Sequence, residues 1–282
     1  MPNIMPGRKE KIVDQANLTS SAYKSGENLT LRAALYENTR PRYIVWEEVV
    51  KGLDLKGDES VLDVGCGNGT LLIQLRKEKG HSGTLSGMDI SSGILKRPIN
   101  LADSQILNID FIVADAQYIP FPDNSFHVVT ACHMIYHVPN IDRALLEMAR
   151  VLKPEGKFAL SANSQKSKSE VLKPLKEAVA KHFGLSMFPD ATRRFSIEES
   201  GELIRKHFKN LTLKKYRSLI SLNSPDPYVA YFNTLRSLWD DNFSDSKWSE
   251  ILKFVEKELK EILEREGRIE ETNIFGIFYA TK

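Results

Sequence analysis

A chain of 282 residues with 41% hydrophobic and 27% charged side chains can bury a sizeable core, and its composition is that of a soluble globular protein. A formal charge of +2 gives little global attraction to nucleic acid, and no apolar run approaches the roughly 20 residues needed to cross a bilayer. Two cysteines make no disulfide framework and too few ligands for a thiolate metal site. The opening "MPNIMPGRKEKIVDQANLTS" lacks the apolar segment of a secretory signal, so a cytoplasmic location is expected.

Residues 1–20 read as loosely ordered. "LTLRAALYENTRPRYIVWEEVVKGL" then carries helical apolar spacing on either side of Pro41, predicting two helices. From Ser60 the period changes. "SVLDVG" reads as a strand, "TLLIQLRKEKG" as a helix closed by Gly80, "GTLSGMDI" as a strand, and "GILKRPINLADSQI" as a helix. "IDFIVAD" and, after the turn "FPDN", "SFHVVTACHMI" read as strands. "NIDRALLEMARVL" keeps Leu145, Leu146, Met148 and Val151 or Leu152 at helix-compatible spacing and stops at "KPEG" before a fifth strand, "KFALSA". This alternation predicts a parallel sheet covered on both faces. Further on, the pattern predicts helices at 169–183, 197–208, 226–240 and 247–265. Strands at 211–221 and 272–280 pair antiparallel at one sheet edge. Lys166, Lys168, Lys173 and Lys176 form a local basic cluster that reads as a solvated face.

The stretch "VLDVGCGNGT", Val61 to Thr70, places Gly65, Gly67 and Gly69 at every second position between a strand and a helix. Such a turn offers free backbone N–H groups at the C-terminal sheet edge, where ligands of open α/β folds bind. A phosphate-loop NTPase needs G-x-x-x-x-G-K-[ST]; here the glycines lie too close together and the next lysine is Lys77. The dinucleotide pattern shares Gly65, Gly67 and an acid about 20 residues on, Asp89, but Thr70 replaces its third small residue and Gly69 is displaced. Asp63 suits a cationic group better than a pyrophosphate. Asp89, at a strand end, can accept two ribose hydroxyls. Asp115, ending "FIVAD", can accept an adenine amino proton while the backbone of Ala116 and Gln117 reads the ring edge. Each acid taken singly also suits a cap or a turn. Together they follow successive strands and outline a cradle for an adenosine with a positively charged, amino-acid-like end.

This arrangement resembles the class I S-adenosylmethionine-dependent methyltransferases. "VLDVGCGNG" is similar to their first motif, "GMDIS" to their ribose-binding acid, and "VADAQYIPFPDNSFHVV" to their adenine region. "MIYHVPNIDRALLEMARVLKPEG" is similar to the segment linking their fourth and fifth strands. The likeness is specific over roughly 58–163 and points to small-molecule methyltransferases, including sugar O-methyltransferases of natural-product pathways. No "DPPY" or "NPPY" of the amino-methylating group follows the fourth strand. The resemblance implies an α/β Rossmann-like fold: a mostly parallel seven-stranded sheet with helices on both faces, an N-terminal helical lid and a C-terminal helical insertion. It implies one methyltransferase domain over 1–282, with the lid at 1–57, the cofactor-binding core at 58–163, and substrate-side helices with a terminal strand pair at 164–282. S-adenosyl-L-methionine is the implied cofactor, S-adenosyl-L-homocysteine its product, and no metal is expected. Asp63 would face the methionine amino end, Asp89 the ribose and Asp115 the adenine. Gly65, Cys66, Gly67, Asn68 and Gly69 would form the cradle, with Ala116, Gln117 and His133 around it. Ile90 fits beside adenine or in the core. Asn28 and Arg32, one helical turn apart, fit the cofactor carboxylate or the substrate, and equally a cap or the surface.

Methyl transfer needs an aligned nucleophile, and an alcohol acceptor gains from a general base. The local candidates are His133, Tyr136 and His137 in "CHMIYHVP". The resembling sugar methyltransferases carry a histidine pair over the substrate pocket; Tyr136 stands at the first position here and His137 at the second. Their acidic partner after the fifth strand is replaced by Ser161, Asn163 and Ser164. His137 is the candidate base, with Tyr136 lining the pocket. Tyr23, Tyr36, Arg42 and Tyr43 of the lid, with Tyr216 and Tyr231, are candidate substrate contacts. Tyr228, Phe232 and Trp239 recur at helical spacing and read as packing. The six histidines include no H-x-x-H or H-E-x-x-H pair. The expected activity is methyl transfer to a small-molecule acceptor, a hydroxyl oxygen first and nitrogen next. RNA methylation, a noncatalytic nucleoside-binding module and a nicotinamide-dependent oxidoreductase are the alternatives. No membrane partner or dedicated nucleic-acid-binding region is expected, and the chain is expected as a monomer or homodimer.

Overall fold

The computed structural model describes residues 10–188, 190–239 and 241–282. The described N-terminal segment winds through α1 (Gln15–Asn17) and a π-helical turn at Leu18–Ala22, then α2 (Glu27–Tyr36), strand β1 (Thr39–Arg40) and α3 (Val45–Leu53). Helices this short are marginal alone. Asp14 caps the first turn by accepting the N–H groups of Ala16 and Asn17, and Leu18 and Ala22 pack on Leu238. The expectation of loose order at 1–20 is therefore corrected over residues 10–20, where Ile12 and Leu18 are buried; residues 1–9 lie outside the described residues.

Short apolar runs then form β2 (Val61–Val64), β3 (Leu85–Asp89), β4 (Ile109–Val113), β5 (Phe126–Cys132) and β6 (Leu152–Asn163), joined in parallel. Between them run α4 (Thr70–Lys79), α5 (Ser92–Ser104) and α6 (Ile141–Val151). β2 is buried at all four positions, as a strand covered on both faces must be. Beyond β6 follow α7 (Leu172–Phe183), α8 (Gly201–Arg205), β7 (Lys209–Leu222), α9 (Asp226–Asn233), α10 (Asp245–Glu266) and β8 (Ile269–Thr281). The eight strands lie in the order β1-β7-β8-β6-β5-β2-β3-β4. β8 runs antiparallel to both β6 and β7, as the expected late strand pair. The eighth strand arises because Thr39 and Arg40 pair with Ile220 and Leu219 on the β7 edge. The helix expected over 197–208 contracts to Gly201–Arg205. Upstream, Phe195 and Ile197 turn into the core, and the Ser196 N–H donates to Ser200 Oγ at 3.1 Å in place of a helical bond.

The strand order reverses at β2, leaving a crevice at the carboxyl ends of β2 and β5, where ligands of such sheets bind. A second apolar core, formed by α7, α9 and α10 with Leu35 of α2, completely buries Tyr228, Phe232 and Trp239, as their spacing indicated. The basic cluster divides: Lys166 and Lys173 are exposed, but Lys168 is only 7% exposed, which corrects its reading as part of a solvated face. No helix among the described residues is long and apolar enough to cross a membrane.

Glu271 of β8 ties the second core to the sheet. Its buried carboxylate accepts the N–H groups of Glu170, Val171 and Leu172 at 3.0, 3.1 and 2.7 Å, and the Tyr228 hydroxyl. Glu271→Ala leaves all these donors without their acceptor. Chemical denaturation should show a loss of about 2–4 kcal/mol; a loss below about 0.5 kcal/mol would contradict this anchoring role.

Candidate active site

Gly65, Gly67 and Gly69 adopt φ of +67°, +55° and +70°, a region that costs other residues about 1–2 kcal/mol each. A Cβ on Gly65 would lie 2.6 Å from the Met134 side chain, and one on Gly69 would lie 2.8 Å from Pro98. The turn holds Asp89 in place: the Gly67 and Ser91 N–H groups donate to its Oδ2 and Oδ1, each at 3.0 Å. Each oxygen retains a lone pair for a further donor. Burial raises the Asp89 carboxyl above its ordinary value, opposed by these backbone hydrogen bonds.

Asp63, on β2, is 3% exposed and accepts the Thr130 hydroxyl of β5 at 2.7 Å. Burial pushes its carboxyl up to about 7 despite the Thr130 hydrogen bond, and the charge of Asp89 adds to the shift. Asp115, beyond β4, accepts the Gln117 N–H and side-chain amide, each at 2.9 Å, and the Gln15 side-chain amide at 2.6 Å. An amide NH2 thus already sits on the acid expected to take an amino group.

A cavity of about 400 Å³ joins these acids. Gly65, Cys66, Gly67, Asn68, Asp63, Asp89, Ile90, Asp115, Ala116, His133, His137 and Tyr23 all line it. Gly69 caps α4 behind this wall, and Gln117 reaches the cavity only through its bonds to Asp115. Gln15, Leu18, Leu29 and the segment Ile44–Trp46 also line it. Sequence reading missed these contacts because nothing local marks a residue for a partner such as Asp115, a hundred positions away. The stretch from Gln15 to Tyr23 is pinned by Ser91 Oγ donating to the Tyr23 carbonyl at 2.7 Å and by Asn17 donating to the Ser237 carbonyl at 2.8 Å.

A hydrogen-bond chain crosses the wall. His137 Nδ1 lies 2.8 Å from the Ile12 carbonyl, which can only accept, so Nδ1 carries the proton. The Tyr23 hydroxyl then donates to His137 Nε2 at 2.8 Å, and Arg32 Nη1 donates to Tyr23 Oη at 3.0 Å. Arg32 is itself held by Thr234 Oγ1 and the Thr234 carbonyl. Burial lowers His137 to about 4, and the charges of Arg32 and Arg194 push the same way against the Ile12 hydrogen bond. His133, also lowered to about 4 by burial and then by Lys168, has its backbone N–H, not its ring, bonded to Ser161 Oγ.

The other predicted site residues are dispersed. Tyr136 packs edge-on against His137 at 4.7 Å but does not line the cavity. Tyr36 of α2 and Tyr231 of α9 pack edge-on, their ring centroids 6.4 Å apart. Asn28 donates to the Ala22 carbonyl and faces a separate polar cavity containing Asn233 and Asn242. Tyr43 and Tyr216 pack together at 5.0 Å, with Tyr216 stacked on Phe275 at 4.9 Å, in the core under α3, and Arg42 is exposed. Among the described residues no cluster of His, Cys, Asp or Glu is arranged to hold a metal ion.

Residues 62–160 match the sequence profile of the family described as a methyltransferase domain. Over 119 residues the chain is 35% identical to the 2-phytyl-1,4-naphtoquinone methyltransferase of Nostoc sp., covering 41% of this chain and 52% of that one. It is 37% identical over 121 residues to the demethylmenaquinone methyltransferase of Lactobacillus johnsonii, covering 41% and 48%. The chain thus spans about half the length of the curated relatives it matches. Its fold is similar to that of Haemonchus contortus phosphoethanolamine N-methyltransferase 2, solved with S-adenosyl-L-methionine. The TM-score is 0.60 at 18% identity, over 98% of this chain and 60% of that one. Fold and cradle together define a Rossmann-like α/β protein of the nucleoside-binding kind. Residues 62–160 thus carry a class I S-adenosylmethionine-dependent methyltransferase domain, resembling those of small-molecule methyltransferases.

The raised Asp63 carboxyl has a consequence for stability. Between about pH 4 and 7 the folded chain holds a proton there that the unfolded chain has released, so the contribution of Asp63 to stability falls as pH rises through that window. Asp63→Asn removes the cost. Urea unfolding at pH 7.5 should find the variant more stable by a few kcal/mol, with the difference vanishing near pH 4. A difference independent of pH would contradict the buried carboxyl.

Proposed function

We propose that this chain transfers the methyl group of S-adenosylmethionine to a hydroxyl oxygen of a small-molecule acceptor. One observation carries the reading: the chain Arg32–Tyr23–His137 ends at the wall of the cavity framed by Asp63, Asp89 and Asp115. Small-molecule acceptors also match the names of the relatives, which act on quinones and phosphoethanolamine. The cofactor, when bound, supplies an electrophilic methyl group on a positively charged sulfur.

Asp63 and Asp89 fit that cofactor by the donors they lack. Asp63 has a buried carboxyl with a single hydrogen-bonding partner, suited to an ammonium, whose charge would draw it into the ionised form. Asp89 retains one lone pair on each oxygen for ribose hydroxyls. Asp115 already accepts the Gln15 amide, the kind of N–H donor that an adenine amino group offers. In this reading residues 1–57 act as the lid, 58–163 hold the cofactor and 164–282 face the acceptor.

The hydroxyl proton becomes acidic as the new C–O bond forms. Tyr23 Oη accepts it while passing its own proton to His137 Nε2, and Arg32 stabilises the phenolate character developing between. His137 is neutral near pH 7 and fixed as the tautomer that accepts at Nε2. The guanidinium of Arg32 disfavours a protonated amine at this position and favours an oxygen that gains negative charge. Tyr23, rather than Tyr136, is therefore the residue we place next to the acceptor.

Incubation with methyl-labelled S-adenosylmethionine and a metabolite extract should place label in small organic products, not in RNA. Tyr23→Phe should lower kcat by about 10²–10⁴-fold while S-adenosylhomocysteine affinity stays within about threefold. An unchanged rate, with chemistry limiting turnover, would remove Tyr23 from the proton path.

A further inference from the structure

We infer that the acceptor carries an anionic group, a phosphate or a carboxylate, bound by Lys168, Lys176 and Arg32 with the phenols of Tyr36 and Tyr231. This rests on the proposed function and names the class of its substrate.

Lys168 follows β6 in a loop pinned by its N–H to the Thr272 carbonyl at 2.8 Å, and the residue is 7% exposed. Its Nζ lies 5.3 Å from the Tyr36 ring centroid and 3.4 Å from Ser167 Oγ. Lys176 of α7 is half-buried, with Nζ 4.0 Å from the Phe188 ring centroid. Among the described residues no carboxylate lies within ion-pair distance of Lys168, Lys176 or Arg32. The acids whose fields reach Lys176 are engaged elsewhere. Glu271 takes three backbone N–H groups and Tyr228, and Asp190 takes Thr192.

These cations sense one another. Burial lowers the Lys176 ammonium to about 8, and the charges of Lys168 and Arg32 add to the effect. Tyr231 lies in the field of both Lys168 and Arg32, and burial holds the Tyr36 phenol up at about 12, so it remains a donor. The converging groups are thus two ammoniums, a guanidinium and two phenols, an inventory rich in donors, and Glu271, whose hydrogen bonds are already taken, is among the described residues the one buried acid whose charge reaches both Lys176 and Tyr36. Three cations against that one buried carboxylate leave an excess of positive charge, which a bound anion would balance and packing alone does not explain.

The position also suits an acceptor. The charge of Lys168 reaches His133, which lines the cavity alongside Tyr23 and His137. Tyr23 in turn shares Arg32 with the cationic cluster. An anion seated between Lys168 and Arg32 therefore leaves the rest of a small molecule next to Tyr23, where its hydroxyl would react.

The test titrates inorganic phosphate and, separately, acetate into the full chain saturated with S-adenosylhomocysteine, read by calorimetry. Saturable binding of phosphate or of acetate identifies which anion the site takes. Lys168→Met and Lys176→Met should each weaken it about tenfold or more, while Lys166→Met and Lys173→Met, at exposed positions, should leave it unchanged. Absence of binding by both probes, or equal binding by all four variants, would overturn the proposal and leave the two cation–π contacts as the whole role of the lysines. The labelled product from the extract should also be retained on an anion exchanger. A labelled but uncharged product overturns the anionic acceptor and keeps methyl transfer. Lysine-dependent anion binding with no labelled product sustains the site and counts against methyl transfer.

Discussion

Two carboxylates, Asp63 inside β2 and Asp89 at the end of the parallel neighbour β3, lie within a sheet covered on both faces, and the site is built around keeping them there. The left-handed glycine turn between them brings the Gly67 N–H onto Asp89, and Thr130 reaches Asp63 from the next strand. Buried carboxylates without a cation are costly. The cavity floor is consequently poised to gain from a ligand with positive charge, and the raised Asp63 carboxyl is the measure of that cost.

The opposite side of the site has the opposite polarity. Arg32, Lys168 and Lys176 lie on α2, in the loop after β6 and on α7, and Arg32 reaches the cavity wall through its hydrogen bond to Tyr23, which lines it with His133 and His137. An electrophile with a cationic amino end fits the acidic floor, and an anionic acceptor fits the far side. The neutral histidines keep the middle free of net charge. Charge separation of this kind orients both partners before any contact is made with the reacting atoms.

Much of this was legible in the sequence, for identifiable reasons. The strands around the glycine turn are short apolar runs bounded by turn residues, and their acids fall within two residues of strand ends, so Asp63, Asp89 and Asp115 emerge from local pattern alone. The late antiparallel pair and the packing role of Tyr228, Phe232 and Trp239 follow equally from period. Contacts made across long sequence separation did not emerge. Gln15 on Asp115, Ile12 on His137 and Lys168 beneath Tyr36 depend on how the N-terminal segment lies across the sheet, which no local period encodes. Lys168 looked like surface because lysine usually is; its loop is drawn inward by the bond to Thr272. Tyr43 and Tyr216 share the aromatic character of Tyr23, yet they pack edge-on in the core, because side-chain type alone does not reveal which face a residue occupies.

The most direct measurement is a calorimetric titration of S-adenosylhomocysteine into the full chain, with Asp89→Ala beside it and circular dichroism to verify folding. Binding near one equivalent per chain is expected, weakened by about a hundredfold or more in the variant. A folded chain that binds none, or a variant that binds as well as the parent, would contradict the central claim that the acidic, glycine-lined cavity is the cofactor site.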